Sequence, residues 1–355
     1  MILHSRPWLN DDDRLVVDQA INSEWIGTGK KTQQFETELA NWVYGSFGVS
    51  TGSGTAALQL ALKALSCGPG DEVVMPTYVC RSLLTSVLQC GAKPILCDAG
   101  SDWIAEAPQF AAKLTRRTKC IIAPHLYGLF CDIDAIAELG MPVIEDFAQA
   151  LPERRSRSLR SDYAVFSFHP TKCITTGEGG MVVAKSAEGA ARLKEIMGMT
   201  SNSLVGPAFP RLSDIAASLG LSQLARYDEF LSRRVRMAEK YAECIRNSSA
   251  EVRWYKARKS MFFRFPVHWR SGFQLAAERM EKFGVTVRRG VDELMHRLIG
   301  ESDELYPNAT FHYDKTVSLP IYPSLDNTDL RICLDACEKV FEKQPRENES
   351  HYEFR

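Results

Sequence analysis

Between residues 47 and 184 short apolar runs alternate with helix-like stretches, and this alternation constrains the fold more than any other feature of the chain. Apolar runs at 47–50, 72–75, 94–97, 120–123, 142–144, 164–168 and 180–184 read as strands, and helical spacing at 55–65 and 82–89 separates the first of them. Apolar strands joined by helices predict a largely parallel sheet covered on both faces, an α/β fold with seven strands.

The flanks have a different pattern. A helix is expected from about residue 10, with Asn10 and Asp11 as cap candidates, and a second over 33–44 after the break at Trp25-Ile26-Gly27-Thr28-Gly29. Beyond 184 the alternation fades. Residues 197–210 are rich in Gly, Pro, Ser and Asn and read as a loop; 212–245 read as mainly helical, an arm between two domains. A smaller α+β unit follows, with strands expected near 252–255, 262–267 and 285–288, a helix at 274–283 and a last helix at 327–342. The expected division is a large domain over 1–230, a small C-terminal domain over 231–344, and a disordered polar tail over 345–355.

Net charge is −1, which excludes bulk attraction to nucleic acid or to an anionic membrane, and no apolar stretch is long enough to span a bilayer. The ten cysteines are scattered without a CxxC pair. They read as buried, reduced thiols of a cytoplasmic protein, with no metal site among them.

Chemistry concentrates at the ends of the apolar runs. Phe166-Ser167-Phe168-His169-Pro170-Thr171-Lys172 leaves an amine at a strand's mouth, a candidate for a Schiff base. Upstream, Val143-Ile144-Glu145-Asp146-Phe147-Ala148-Gln149 delivers Asp146 past another strand. Pyridoxal phosphate (PLP) enzymes pair such a lysine with a carboxylate on the pyridine nitrogen. Thr51-Gly52-Ser53-Gly54-Thr55-Ala56-Ala57 joins a strand to a helix start and is suited to an anion. The same turn matches a dinucleotide fingerprint, so an NAD-dependent oxidoreductase stands as an alternative. That reading wants an acidic residue ending the next strand, which here ends in Met75-Pro76. Gln149 and Ser167 are candidates for further cofactor contacts, and His125, Tyr127 and His169 for the pocket wall.

These segments resemble the DegT/StrS-type family of PLP-dependent sugar aminotransferases, which have the aspartate aminotransferase fold (fold type I). The likeness runs from Trp25 to Leu325 and is most specific over Ile144 to Ala150 and Phe166 to Gly180. The resemblance implies Lys172 as the Schiff-base lysine, Asp146 on the pyridine nitrogen, Gln149 on the ring oxygen, and Gly54, Thr55 and Ser167 around the phosphate. It implies an amino-acid donor such as glutamate or glutamine, a keto or aldehyde acceptor on a nucleotide-linked sugar, and a homodimer with shared active sites. Gly29 then joins the pocket candidates. Cys80 stands where the family carries an aromatic residue over the cofactor ring, so that either Tyr78 substitutes or the ring is stacked differently. Phe209 stands where the family carries an asparagine for the neighbouring subunit's phosphate. A PLP-binding protein without turnover is the further alternative.

Overall fold

The computed structural model describes residues 1–156, 158–200, 209–246, 248–252 and 260–342. Its main sheet has seven strands: β1 (Phe47–Thr51), β2 (Glu72–Pro76), β3 (Lys93–Cys97), β4 (Thr118–Pro124), β5 (Val143–Asp146), β6 (Tyr163–Ser167) and β7 (Gly180–Ala184). They lie in the order β1-β7-β6-β5-β4-β2-β3. β2 to β6 pair in parallel, and β7 runs antiparallel to both β6 and β1. Two reversals return β1 to the direction of β6. The carboxyl ends of β1, β2, β4, β5 and β6 therefore meet at one edge, and the residues after them share it.

Helices α1 (Asp11–Asn22), α2 (Lys30–Trp42), α3 (Gly54–Ala64), α4 (Arg81–Gln89), α5 (Ala107–Ala111), α6 (Ile133–Ala137) and α7 (Ala187–Ile196) cover the sheet and its flanks. The expected cap at Asn10 forms a capping box with Asp13, while Asp11 lies inside the helix. The arm consists of α8 (Asp214–Ala225) and α9 (Tyr227–Ile245). Because α9 is unbroken, the expected boundary between 230 and 231 falls inside a helix.

The C-terminal unit carries a small antiparallel sheet of β8 (Ala250–Glu251), β9 (Phe265–Trp269) and β10 (Thr316–Leu319), in the order β10-β9-β8. Helices Phe273–Glu281, Pro307–Lys315 and Asn327–Val340 pack around it. The expected strand at 285–288 is not one: Val285 makes a single bridge to Ile2 and Arg288 a single bridge to Ser318. The N-terminal residues are thereby fastened to the C-terminal unit. The expected strand at 252–255 lies mostly outside the described residues, as do most of the 197–210 loop and the 345–355 tail. One apolar cluster runs from Leu58, Val74 and Ile122 through Tyr78 and Tyr127 to Phe265, Val287 and Leu319, so the two units share a core. A second cluster joins α2, α8 and α9 to the outer face of β6 and β7 through Phe35, Leu39, Phe166, Leu224 and Tyr227.

Candidate active site

A cavity of about 860 Å³ opens at the shared strand edge, with residues of the C-terminal unit on its other side. Its lining includes Ser53, Gly54 and Thr55 at the start of α3, Cys80 and Arg81 at the start of α4, and His125 after β4. Asp146 and Gln149 from the end of β5, and Ser167, His169 and Lys172 from the end of β6, complete the sheet side.

One end of the cavity is built for an anion. Ser53 caps α3, its hydroxyl accepting from Ala56 N at 3.1 Å. First-turn N–H groups have no partner within a helix, and the helix dipole favours negative charge there. A Cβ on Gly54 would stand 2.8 Å from the Ser167 Cβ and 3.0 Å from its Oγ. Glycine therefore lets the helix start lie directly against β6, which puts the Ser167 hydroxyl beside the free N–H groups.

Lys172 and Asp146 occupy the cavity floor. The Lys172 backbone N–H closes a turn onto His169 O at 2.9 Å, and its Nζ stands 6.0 Å from the centre of the Phe263 ring. Burial pulls the amine below its ordinary range, with Asp146 pulling the other way. The shift favours the neutral, nucleophilic form. Asp146 is 5% exposed. Burial raises its carboxyl above the usual range, opposed by the N–H of Ala148 and the charge of Lys172. Ala148 N donates to Oδ1 at 2.9 Å, and no cation stands within ion-pair distance of Asp146 among the described residues. Gln149 accepts from Tyr127 N at 3.2 Å through Oε1, which leaves its Nε2 as a donor. A phosphate at the helix start, a protonated ring nitrogen at Asp146 and a ring oxygen at Gln149 all suit these groups, so the residues present fit PLP.

His125 lines the cavity with both ring nitrogens engaged. Cys131 N donates to Nδ1 at 3.1 Å, so Nε2 carries the proton and donates to Glu145 Oε1 at 3.1 Å. Glu145 also accepts from Ser161 Oγ at 2.8 Å. His125 is thus a fixed, neutral wall packed on Phe147, rather than a proton carrier. His169 is exposed at the rim and shares a hydrogen bond with Thr171.

Three expected residues lie elsewhere. Tyr78 and Tyr127 are fully buried, and their hydroxyls meet at 2.9 Å behind the cavity wall. A Cβ on Gly290, which lines the cavity, would stand 1.9 Å from both hydroxyl oxygens. Tyr78 therefore does not replace the family's aromatic residue: its ring packs edge-on to His312, and burial pushes its hydroxyl up to about 12. Gly29 caps α2, its N–H held by Asp214 Oδ1 at 2.8 Å, away from the cavity. Phe209 is turned into the core of its own chain with Lys63 over its ring. Cys80 reaches the cavity as an exposed thiol, against the expectation that the cysteines are buried.

The sequence reading missed Arg264 and His4, which form part of the opposite wall. The one sign of Arg264 is a lone charge inside Phe262-Phe263-Arg264-Phe265. His4 lies far from every motif and reaches the site through the bridge of Ile2 to Val285.

The family model for the DegT/DnrJ/EryC1/StrS aminotransferase family matches residues 8–337. The chain is 30% identical to the GDP-perosamine synthase of Escherichia coli O157:H7, over 95% of this chain and 97% of that protein. It is 29% identical to the spore coat polysaccharide biosynthesis protein SpsC of Bacillus subtilis, over 95% and 96% of the two chains. Among solved structures, the aminotransferase TlmJ of Streptoalloteichus hindustanus superposes with a TM-score of 0.86 at 27% identity, over 96% of this chain and 98% of that one. The nicotinamide alternative and the reading without turnover give way to this match. The chain belongs to the DegT/DnrJ/EryC1/StrS aminotransferase family and is a PLP-dependent aminotransferase of fold type I.

Proposed function

We propose that the protein moves an amino group from an amino-acid donor, glutamate or glutamine, to a keto group on a nucleotide-linked sugar, with Lys172 and Asp146 as its catalytic residues. The observation that carries this reading is the convergence of Lys172, Asp146 and the Ser53–Thr55 turn on one cavity. The sugar acceptor is supported by the relative named GDP-perosamine synthase, which this chain matches over nearly its whole length.

Bound PLP supplies an aldehyde that links to amines and a ring that takes up electrons from the reacting carbon. Lys172 would hold the cofactor through its amine and would carry a proton at the substrate carbon. Asp146 would hold the ring nitrogen in its protonated form. A cationic N–H there answers a carboxylate that burial otherwise disfavours. The N–H groups of Gly54 and Thr55 and the hydroxyl of Ser167 would hold the phosphate, and Gln149 would donate to the ring oxygen.

The protein acts in the cytoplasm as a homodimer. Its ten cysteines, all free, suit a reducing compartment, and exposed Trp25 and Ile26 offer apolar surface to a second copy. The test is an absorbance spectrum of purified protein with and without glutamate. A PLP band that converts to that of the pyridoxamine form is expected, and a protein with no such band contradicts the proposal.

A further inference from the structure

Two of the ten cysteines meet far from each other in sequence. The Sγ atoms of Cys67 and Cys120, 53 residues apart in the chain, stand 3.6 Å from one another in the interior. A disulfide needs an S–S distance of about 2.0 Å, so a shift of about 1.5 Å would join them. Neither residue lines the cofactor cavity.

The local structure explains the meeting. Helix α3 ends in a turn in which Ser66 takes the left-handed conformation, at φ 57°. Ser66 N donates to Lys63 O at 2.9 Å, and Cys67 N donates back to Leu62 O at 3.0 Å. A turn of this kind folds the residue after the left-handed one onto the apolar side of the helix. Cys67 is therefore only 7% exposed, although Ser66 and Pro69 on either side are exposed. Cys120 lies inside the sheet on β4, opposite Val73 of β2, and is fully buried. One sulfur is fixed within the sheet, and the other hangs from a turn at the surface. Their chemistry is equally unequal. The hydrogen bond from the Cys120 thiol holds Cys67 below its ordinary range; the same bond, then burial, push Cys120 well up. Cys67 is thus the nucleophile of the pair.

We propose that Cys67 and Cys120 form a redox site, at which a peroxide converts the two thiols to a disulfide that fastens the end of α3 to β4. The Cys67 sulfur attacks one peroxide oxygen and the O–O bond breaks. The other oxygen leaves as hydroxide, which takes the thiol's proton and becomes water. Cys120 Sγ then attacks the sulfenic acid left on Cys67. The S–S bond forms, the S–O bond breaks, and the hydroxyl leaves with the Cys120 proton as a second water. The thiols lose two electrons and the peroxide gains them. The bond would restrict the unfolded chain over a long interval, and it would tie down the helix whose first turn forms the anion end of the cavity.

The test treats the PLP-loaded protein with hydrogen peroxide, alkylates the remaining thiols and digests without reduction. A peptide pair joining Cys67 to Cys120, which dithiothreitol separates, is the expected product. The Tm of the oxidised protein should rise by about 3–8 °C over that of the reduced protein. Cys67→Ser should show neither the pair nor the rise. Cys120→Ala should leave on Cys67 a sulfenic acid that dimedone labels; if that variant does not fold, the map of the parent still decides. Both thiols free after a dose that oxidises the exposed Cys80 overturns the proposal. So does a bond from Cys67 to Cys90, the half-buried thiol whose titration feels the charge of Cys67. A Cys67–Cys120 bond that leaves Tm unchanged or lowers it overturns the fastening role.

Discussion

Glu36 and Asp146 are equally buried, each 5% exposed, but their surroundings are opposite in kind. Glu36 sits between α2, β1 and the segment before α8. It accepts from Ser50 N and Ser50 Oγ, both at 2.7 Å, and from Arg211 Nε and Nη2 at 3.1 and 2.6 Å. Both carboxylate oxygens have donors, three on Oε1 and one on Oε2, and the network joins three elements. Asp146 has one N–H donor and an open cavity in front of it. Buried polar groups in folded proteins are nearly always satisfied, so unmet ones around a cavity mark capacity kept for a ligand. The first region holds the fold; the second awaits substrate and cofactor.

Removing the lysine gives the largest expected effect. Lys172→Ala should lose amino transfer by about 10²–10⁴-fold or more, since it removes both the cofactor's attachment and the proton carrier. Its thermal unfolding without cofactor should not fall below that of the parent, because the amine it removes is disfavoured by burial. A variant that unfolds early would place Lys172 in the first class, as a structural residue.

Asp146→Asn should reduce turnover by about 10²–10³-fold, as expected for an electrostatic partner at a reacting centre. Stability of the cofactor-free protein should move the other way. The carboxyl is raised in the fold, so the folded state binds its proton more tightly than the unfolded chain does. Its ionised form therefore weakens folding as pH rises through the raised value. The asparagine variant should gain at neutral pH, and the gain should vanish below the ordinary carboxylate range of about 3.9. Urea titrations at both pH values check this, and a loss of stability at neutral pH would contradict the contrast with Glu36.

Glu36→Ala tests the other side. It leaves the half-buried Arg211 without its partner and should cost about 1–3 kcal/mol in urea unfolding. The kcat of the folded enzyme should remain near that of the parent. A large fall in kcat without a stability loss would show that the satisfied network also serves the site.

Ser167→Ala is the smallest of these changes. It removes one hydroxyl from the anion end and should weaken PLP retention about ten- to a hundredfold in a cofactor titration. Parent-like retention would mean that the α3 turn alone carries the phosphate.

The inner strands were legible because they are buried on both faces and read as nearly continuous apolar runs, as in Gly180–Ala184. Helices α5 and α6, five residues each, are too short to express a periodicity. β10 follows directly on the helix Pro307–Lys315, so no turn residue marks its start. At the site, Lys172, Asp146, Gln149, Ser167 and the Gly54 turn were legible because each lies at or just beyond the end of a strand on the shared edge. Tyr78 and Tyr127 are also just past strands, but their side chains turn inward to each other, which strand position alone does not reveal. Arg264 and His4 come from the opposite wall, and their approach depends on docking of the C-terminal unit and the first residues. Contacts of that kind leave no local pattern.

The central claim is that the amine of Lys172 holds the cofactor. Borohydride reduction of the PLP-loaded protein, followed by peptide mapping, tests it directly. A pyridoxyl group on the peptide containing Lys172, and on no other, is the predicted result. A label on a different lysine, or a loaded protein that takes no label, would contradict it.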